Sequence, residues 1–121
     1  MNGHAVGGGL EIAMAADLVV AADHAAFFLP ETGLGIIPDA GAIRLPRILP
    51  RVVANEVLYA GRRLAADEAL LWGLVNAVVP ADRLKSFWGP YRALEETAWA
   101  WEPWPNLLFC LLPVLPFHVQ E

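Results

Sequence analysis

The sequence predicts an α/β fold. Short apolar runs of strand character alternate with helix-length segments, and the helical candidates end at glycine or break at proline. Turn chemistry separates almost every pair of these elements.

Gly7-Gly8-Gly9 reads as a tight backbone turn, with no strand expected ahead of it. Residues 10–16 follow as a short helix whose small side chains permit close packing. Residues 18–22 form an apolar, strand-like run, and residues 25–29 a second extended segment. Pro30 to Gly35 is loop chemistry, and Pro38-Asp39-Ala40-Gly41 reads as another turn. Two helices are expected at 42–49 and 51–59, divided at Pro50 and stopped by Gly61. Residues 65–72 form a helix with Asp67 and Glu68 in its first turn and Gly73 past its end. Residues 74–79 return as a strand closed by Pro80.

Beyond Lys85 the character changes. Four of the five tryptophans (Trp88, Trp99, Trp101 and Trp104) and five of the ten prolines lie there. The expected organisation is therefore an orderly αβ domain over 1–85 and an irregular, interaction-prone or disordered tail over 86–121. The apolar stretch from Leu107 to Leu115 is interrupted by Pro113. A spanning helix needs about 20 apolar residues, so no transmembrane segment is expected.

Composition excludes several functions. The chain of 121 residues is 57% apolar and 17% charged, which suits one modest globular domain. Eight Lys and Arg oppose thirteen Asp and Glu, for a net charge of −5. No basic patch is visible, so nucleic acid is not an expected partner. The single cysteine, Cys110, excludes a disulfide-stapled scaffold, and no secretory leader is legible at the start. A cytoplasmic protein is the default.

Few residues carry chemistry by pattern alone. Glycines opening a helix expose backbone N–H groups that can meet a developing oxyanion, although they equally allow close packing. Glu11 at that helix start complements the helix dipole, and Glu31 alone would be a solvated loop residue. Together they matter more, because the chain between them can return beside its start. Two carboxylates facing one pocket can divide acid and base roles. Asp39 is a turn residue or a third acid at the same pocket. His4, His24 and His118 are isolated and form no metal-ligand spacing, and no Ser or Cys accompanies His4 to make a triad. Cys110 sits in an apolar run and is expected to be inert.

At this point the ordered motifs match a family. Residues 2–11 (Asn2-Gly3-His4 through Gly7-Gly8-Gly9-Leu10-Glu11), Ala16-Asp17, Phe28-Leu29-Pro30-Glu31 and residues 34–41 resemble the enoyl-CoA hydratase/isomerase (crotonase) family. The match continues through Arg44-Leu45-Pro46-Arg47, Gly61-Arg62-Arg63, Ala69 and Trp72-Gly73-Leu74-Val75-Asn76, covering about residues 2–84. Within the family, Leu29-Pro30-Glu31 and residues 46–50 look most like carnitinyl-CoA (crotonobetainyl-CoA) dehydratases.

The resemblance implies a crotonase-like superhelix of ββα repeats, represented here in part, and an acyl-CoA substrate. It implies that Glu11 and Glu31 are the two glutamates that orient and activate water and deliver the α-proton. It implies that the Gly8 N–H is one oxyanion-hole donor, with Asp39 as a possible supporting acid. No redox cofactor and no metal is implied, since coenzyme A is part of the substrate. Family members are trimers or hexamers of one chain. The segments that carry the second oxyanion donor and much of the CoA surface precede these motifs in the family. Two other readings therefore stand beside the enzyme: a truncated, inactive fragment, and a non-enzymatic interaction module using the aromatic tail.

Overall fold

A computed structural model describes residues 1–87 and Gly89. Strand β1 (His4–Val6) runs into Gly7, after which helix α1 (Gly8–Ala13) begins. Strands β2 (Val20–Ala22) and β3 (Ala26–Phe28) follow, then a 3-10 helix over Glu31–Leu34. Helices α2 (Asp39–Ile48) and α3 (Arg51–Ala60) come next, then β4 (Leu64–Ala65) and α4 (Ala66–Leu71). Strand β5 (Ala77–Val79), a 3-10 helix over Ala81–Arg83 and α5 (Leu84–Phe87) complete the described chain. The mixed α/β architecture agrees with the sequence. The tail beyond residue 89, with Cys110, His118 and residues 107–115, lies outside the described residues.

The strands form two small sheets. In one, β3 is central, parallel to β1 with His4 opposite Ala26, and antiparallel to β4 with Phe27 opposite Leu64. In the other, β2 and β5 run parallel, with Val20 opposite Ala77. Asn76 extends that second pairing by one residue: its N–H donates to the Val19 carbonyl, and its Oδ1 accepts from the Val19 N–H, both at 2.7 Å.

Helix α3 buries Val53, Ala54, Val57 and Leu58, a stripe at helical spacing, and ends at Gly61, whose φ of 63° suits glycine. Pro50 precedes the first turn of α3, where its missing N–H costs nothing. The core joins the sheets to the helices through Leu10, Phe27, Leu29, Leu45, Val57 and Leu64, all fully buried. Among the described residues, no helix is long and apolar enough to cross a membrane.

Three expectations are corrected here. A strand does precede the glycines: β1 exists through its parallel pairing with β3, a contact that three residues of local sequence do not announce. The 38–41 segment is not a free turn. Pro38 is extended at φ −60° and ψ 132°, and Asp39, Ala40 and Gly41 are the first turn of α2. Proline there sets up the helix entry rather than reversing the chain. The last expected strand is also shorter, because Leu74 and Val75 turn inward to the core before β5 begins.

Candidate active site

The site is organised around Gly7. Its φ of 51° and ψ of −122° bend the chain sharply from β1 into α1. The Gly7 N–H donates to the Phe28 carbonyl at 3.1 Å, while its own carbonyl accepts from Leu10 at 2.9 Å and Glu11 at 3.1 Å. That leaves the N–H of Gly8, the first residue of α1, outside the helix ladder, and Gly8 is exposed. The turn therefore presents a backbone donor at the surface.

Both glutamates reach this turn. Glu11 lies one residue beyond Leu10 in the first turn of α1, with its backbone N–H on the Gly7 carbonyl. Its Oε1 accepts from the Gly41 N–H at 2.8 Å. Glu31 opens the 3-10 helix that leaves β3, the strand paired to β1. A Cβ placed on Gly7 would stand 2.6 Å from Glu31 Oε1, so the carboxylate occupies the space above that glycine. Glu31 Oε2 is buried and has no hydrogen-bond partner among the described residues. The pairing of β1 with β3 is what carries Glu31 back to the glycine turn.

The surroundings leave these acids uncompensated. Among the described residues the ion pairs join Arg62 to Glu56 and Glu68, and His24 to Asp23, and none involves Glu11, Glu31 or Asp39. Arg44 donates instead to the Met14 carbonyl at 3.2 Å, tying α2 to the end of α1. The Arg63 guanidinium stacks over Phe28 at 4.3 Å from the ring centroid. Asp39 is exposed at the first residue of α2, where a carboxylate complements the helix dipole. It is two residues from the Gly41 donor.

Of the expected site residues, Gly8 and Glu11 thus lie in the first turn of α1, the Glu31 carboxylate stands over Gly7 just before it, and Asp39 stands at the start of α2, which packs against α1. Sequence reading missed Gly7 and Gly41 as the backbone against which the carboxylates rest. Chemically, the arrangement offers the Gly8 N–H outside the helix ladder and two carboxylates: Glu11 hydrogen-bonded to Gly41, and Glu31 with one oxygen lacking a partner among the described residues. No group of three or more potential metal ligands occurs among the described residues.

A profile of the family described as enoyl-CoA hydratase/isomerase matches residues 1–93. Among curated relatives, a carnitinyl-CoA dehydratase of Salmonella arizonae is 54% identical over 85 residues, covering 69% of this chain and 33% of that protein. A carnitinyl-CoA dehydratase of Escherichia coli K12 is 58% identical over 80 residues, covering 65% of this chain and 31% of that protein. The chain spans about a third of the length of the curated relatives it matches. An enoyl-CoA hydratase structure from Mycobacterium smegmatis superposes with a TM-score of 0.73 at 35% identity, over 77% of this chain and 43% of that one. One from Mycobacterium paratuberculosis gives 0.71 at 35% identity, over 81% and 43%.

Proposed function

The chain belongs to the enoyl-CoA hydratase/isomerase family, and from that premise we propose that Glu11, Glu31 and Gly8 work together to add or remove water across the α,β bond of an acyl-CoA. The observation that carries this reading is the Gly7 turn: the Glu31 carboxylate occupies the space above Gly7, and the Gly7 carbonyl accepts from the backbone N–H of Glu11, whose carboxylate is bonded to the Gly41 N–H.

In the hydration direction, Glu11 accepts a proton from water as the water oxygen bonds to the β-carbon. Electron density moves from the α,β double bond toward the thioester oxygen, where the Gly8 N–H stabilises the enolate-like charge. Glu31 then gives its proton to the α-carbon, and the two carboxyl groups exchange protonation states for the return. Glu31 Oε2 suits this role because it is buried and meets no donor among the described residues. Dehydration is the same path reversed. Hydration leaves Glu11 protonated and Glu31 ionised, so before the next turnover Glu11 gives a proton to solvent and Glu31 takes one up; no electrons are transferred overall, so the proposed reaction needs no redox cofactor. The identity to carnitinyl-CoA dehydratases favours a β-hydroxyacyl-CoA of the carnitinyl type as substrate. Asp39 is proposed as a supporting acid at the edge of this site.

The test is to follow enoyl-thioester absorbance with crotonyl-CoA and carnitinyl-CoA, using the chain and its Glu11→Gln and Glu31→Gln variants. Each variant is expected to lower kcat by about 10²–10⁴ with the fold retained. Full kcat in either variant would remove that residue from the chemistry.

A further inference from the structure

Gly41 lies in the first turn of α2 with ordinary helical backbone, since the glycines at positive φ are Gly7, Gly35, Gly61 and Gly73. Its dihedrals therefore do not demand glycine. Its surroundings do. A Cβ at Gly41 would stand 2.9 Å from Leu29 Cδ1, 3.1 Å from Pro38 Cβ and 3.3 Å from Glu11 Oε1. The missing side chain is what lets α2 approach close enough for the Gly41 N–H to reach Glu11 Oε1 at 2.8 Å.

We propose that Gly41 is a positioning residue for Glu11: by lacking a Cβ it seats the carboxylate against the backbone of α2, fixes which oxygen is tied, and leaves Oε2 as the reacting oxygen. This rests on the reading of Glu11 given above. Gly41 itself touches no reacting atom. The seat is charge-assisted, since a backbone N–H meets a carboxylate, and such bonds hold orientation better than neutral ones. A side chain at 41 would move either Leu29, Pro38 or the carboxylate, and only the last of these bears on proton transfer.

A double variant separates the two consequences. Gly41→Ala alone strains the core against Leu29, so Leu29→Val is combined with it to remove the Cδ1 atom, and Leu29→Val alone serves as reference. The double variant is expected to match the melting temperature of Leu29→Val, yet to keep kcat roughly ten-fold lower at unchanged KM, because a displacement of even a fraction of an ångström at a proton-transfer group is costly. Independently, the Gly41 amide proton in a 1H–15N spectrum should move upfield in Glu11→Gln, where a neutral amide replaces the charged acceptor.

Reference-level kcat in the double variant would overturn the proposal, as would a Gly41 amide unmoved in Glu11→Gln. Wild-type turnover in Glu11→Gln would instead overturn the functional reading of the site. A chain without measurable turnover leaves the amide response to decide whether the seat exists.

Discussion

At the scale of single residues, two glycines with positive φ differ both in backbone region and in what surrounds them. Gly7 (φ 51°) would place a Cβ 2.6 Å from Glu31 Oε1, whereas Gly35 (φ 75°) has open space where its Cβ would go. Alanine at Gly35, which is left-handed (ψ 19°), costs about 1–2 kcal/mol, while Gly7, with ψ −122°, lies outside that region in backbone space that side-chain-bearing residues rarely adopt. Gly7→Ala must also displace the Glu31 carboxylate, so it is expected to be the less stable of the two in urea denaturation. It should also be the only one of the pair with a large loss of kcat. Equal turnover in the two variants would show that Glu31 is not held by that turn. Glu11, Glu31 and Gly8 could be singled out in the sequence because their motif order is distinctive. The glycine contacts were not, because they depend on where β3 and α2 pack, which no short motif encodes.

At the scale of elements, α2 links the core to the site. Leu45 is fully buried on the face of α2 that meets the core, while Gly41 one turn earlier reaches Glu11. Leu45→Ala is expected to cost about 2–5 kcal/mol by removing buried methyls and leaving a cavity. Chemical denaturation measures this, and a cost below 1 kcal/mol would mean that the helix relaxes into the space. The ends of α3 and the approximate extent of α4 could be read from Pro50, Gly61 and Gly73, since proline and glycine act through local dihedrals. The start of α2 could not. Pro38-Asp39-Ala40-Gly41 fits a turn and a helix entry equally well, and only packing against α1 decides between them. β1 and β4, three and two residues long, are defined by their partners rather than by their own composition.

For the whole molecule, exposed apolar side chains occur on nearly every helix. Tyr59 is 76% exposed, Leu71 73% and Val52 71%, and Ile37 in the connection before α2 is 82% exposed. Isolated apolar residues are ordinary on a surface, but Leu34, Ile36 and Ile37 are exposed within four residues of chain, and a contiguous apolar patch favours association. The 121-residue chain is therefore expected to sediment as oligomers or aggregates at micromolar concentration. A single monomeric boundary in analytical ultracentrifugation would contradict this. The α/β class could be read from the alternation of elements. The division into two sheets could not, because it depends on which distant strands choose one another.

That choice sets a schedule for folding. β1, β3 and β4 complete their sheet once Ala65 exists, but β2 must wait for β5, since the clamp between Val19 and Asn76 spans 57 positions of chain. At ordinary rates of synthesis the wait is about 3–11 s. During it the fully buried strand Val20–Ala22 stands with an open edge, the condition in which a nascent chain is most exposed to wrong pairing. Loop closure over such a distance makes docking of β5 a late event. A pause after Ala22 has emerged and before Val79 has left the ribosome would prolong that vulnerable interval.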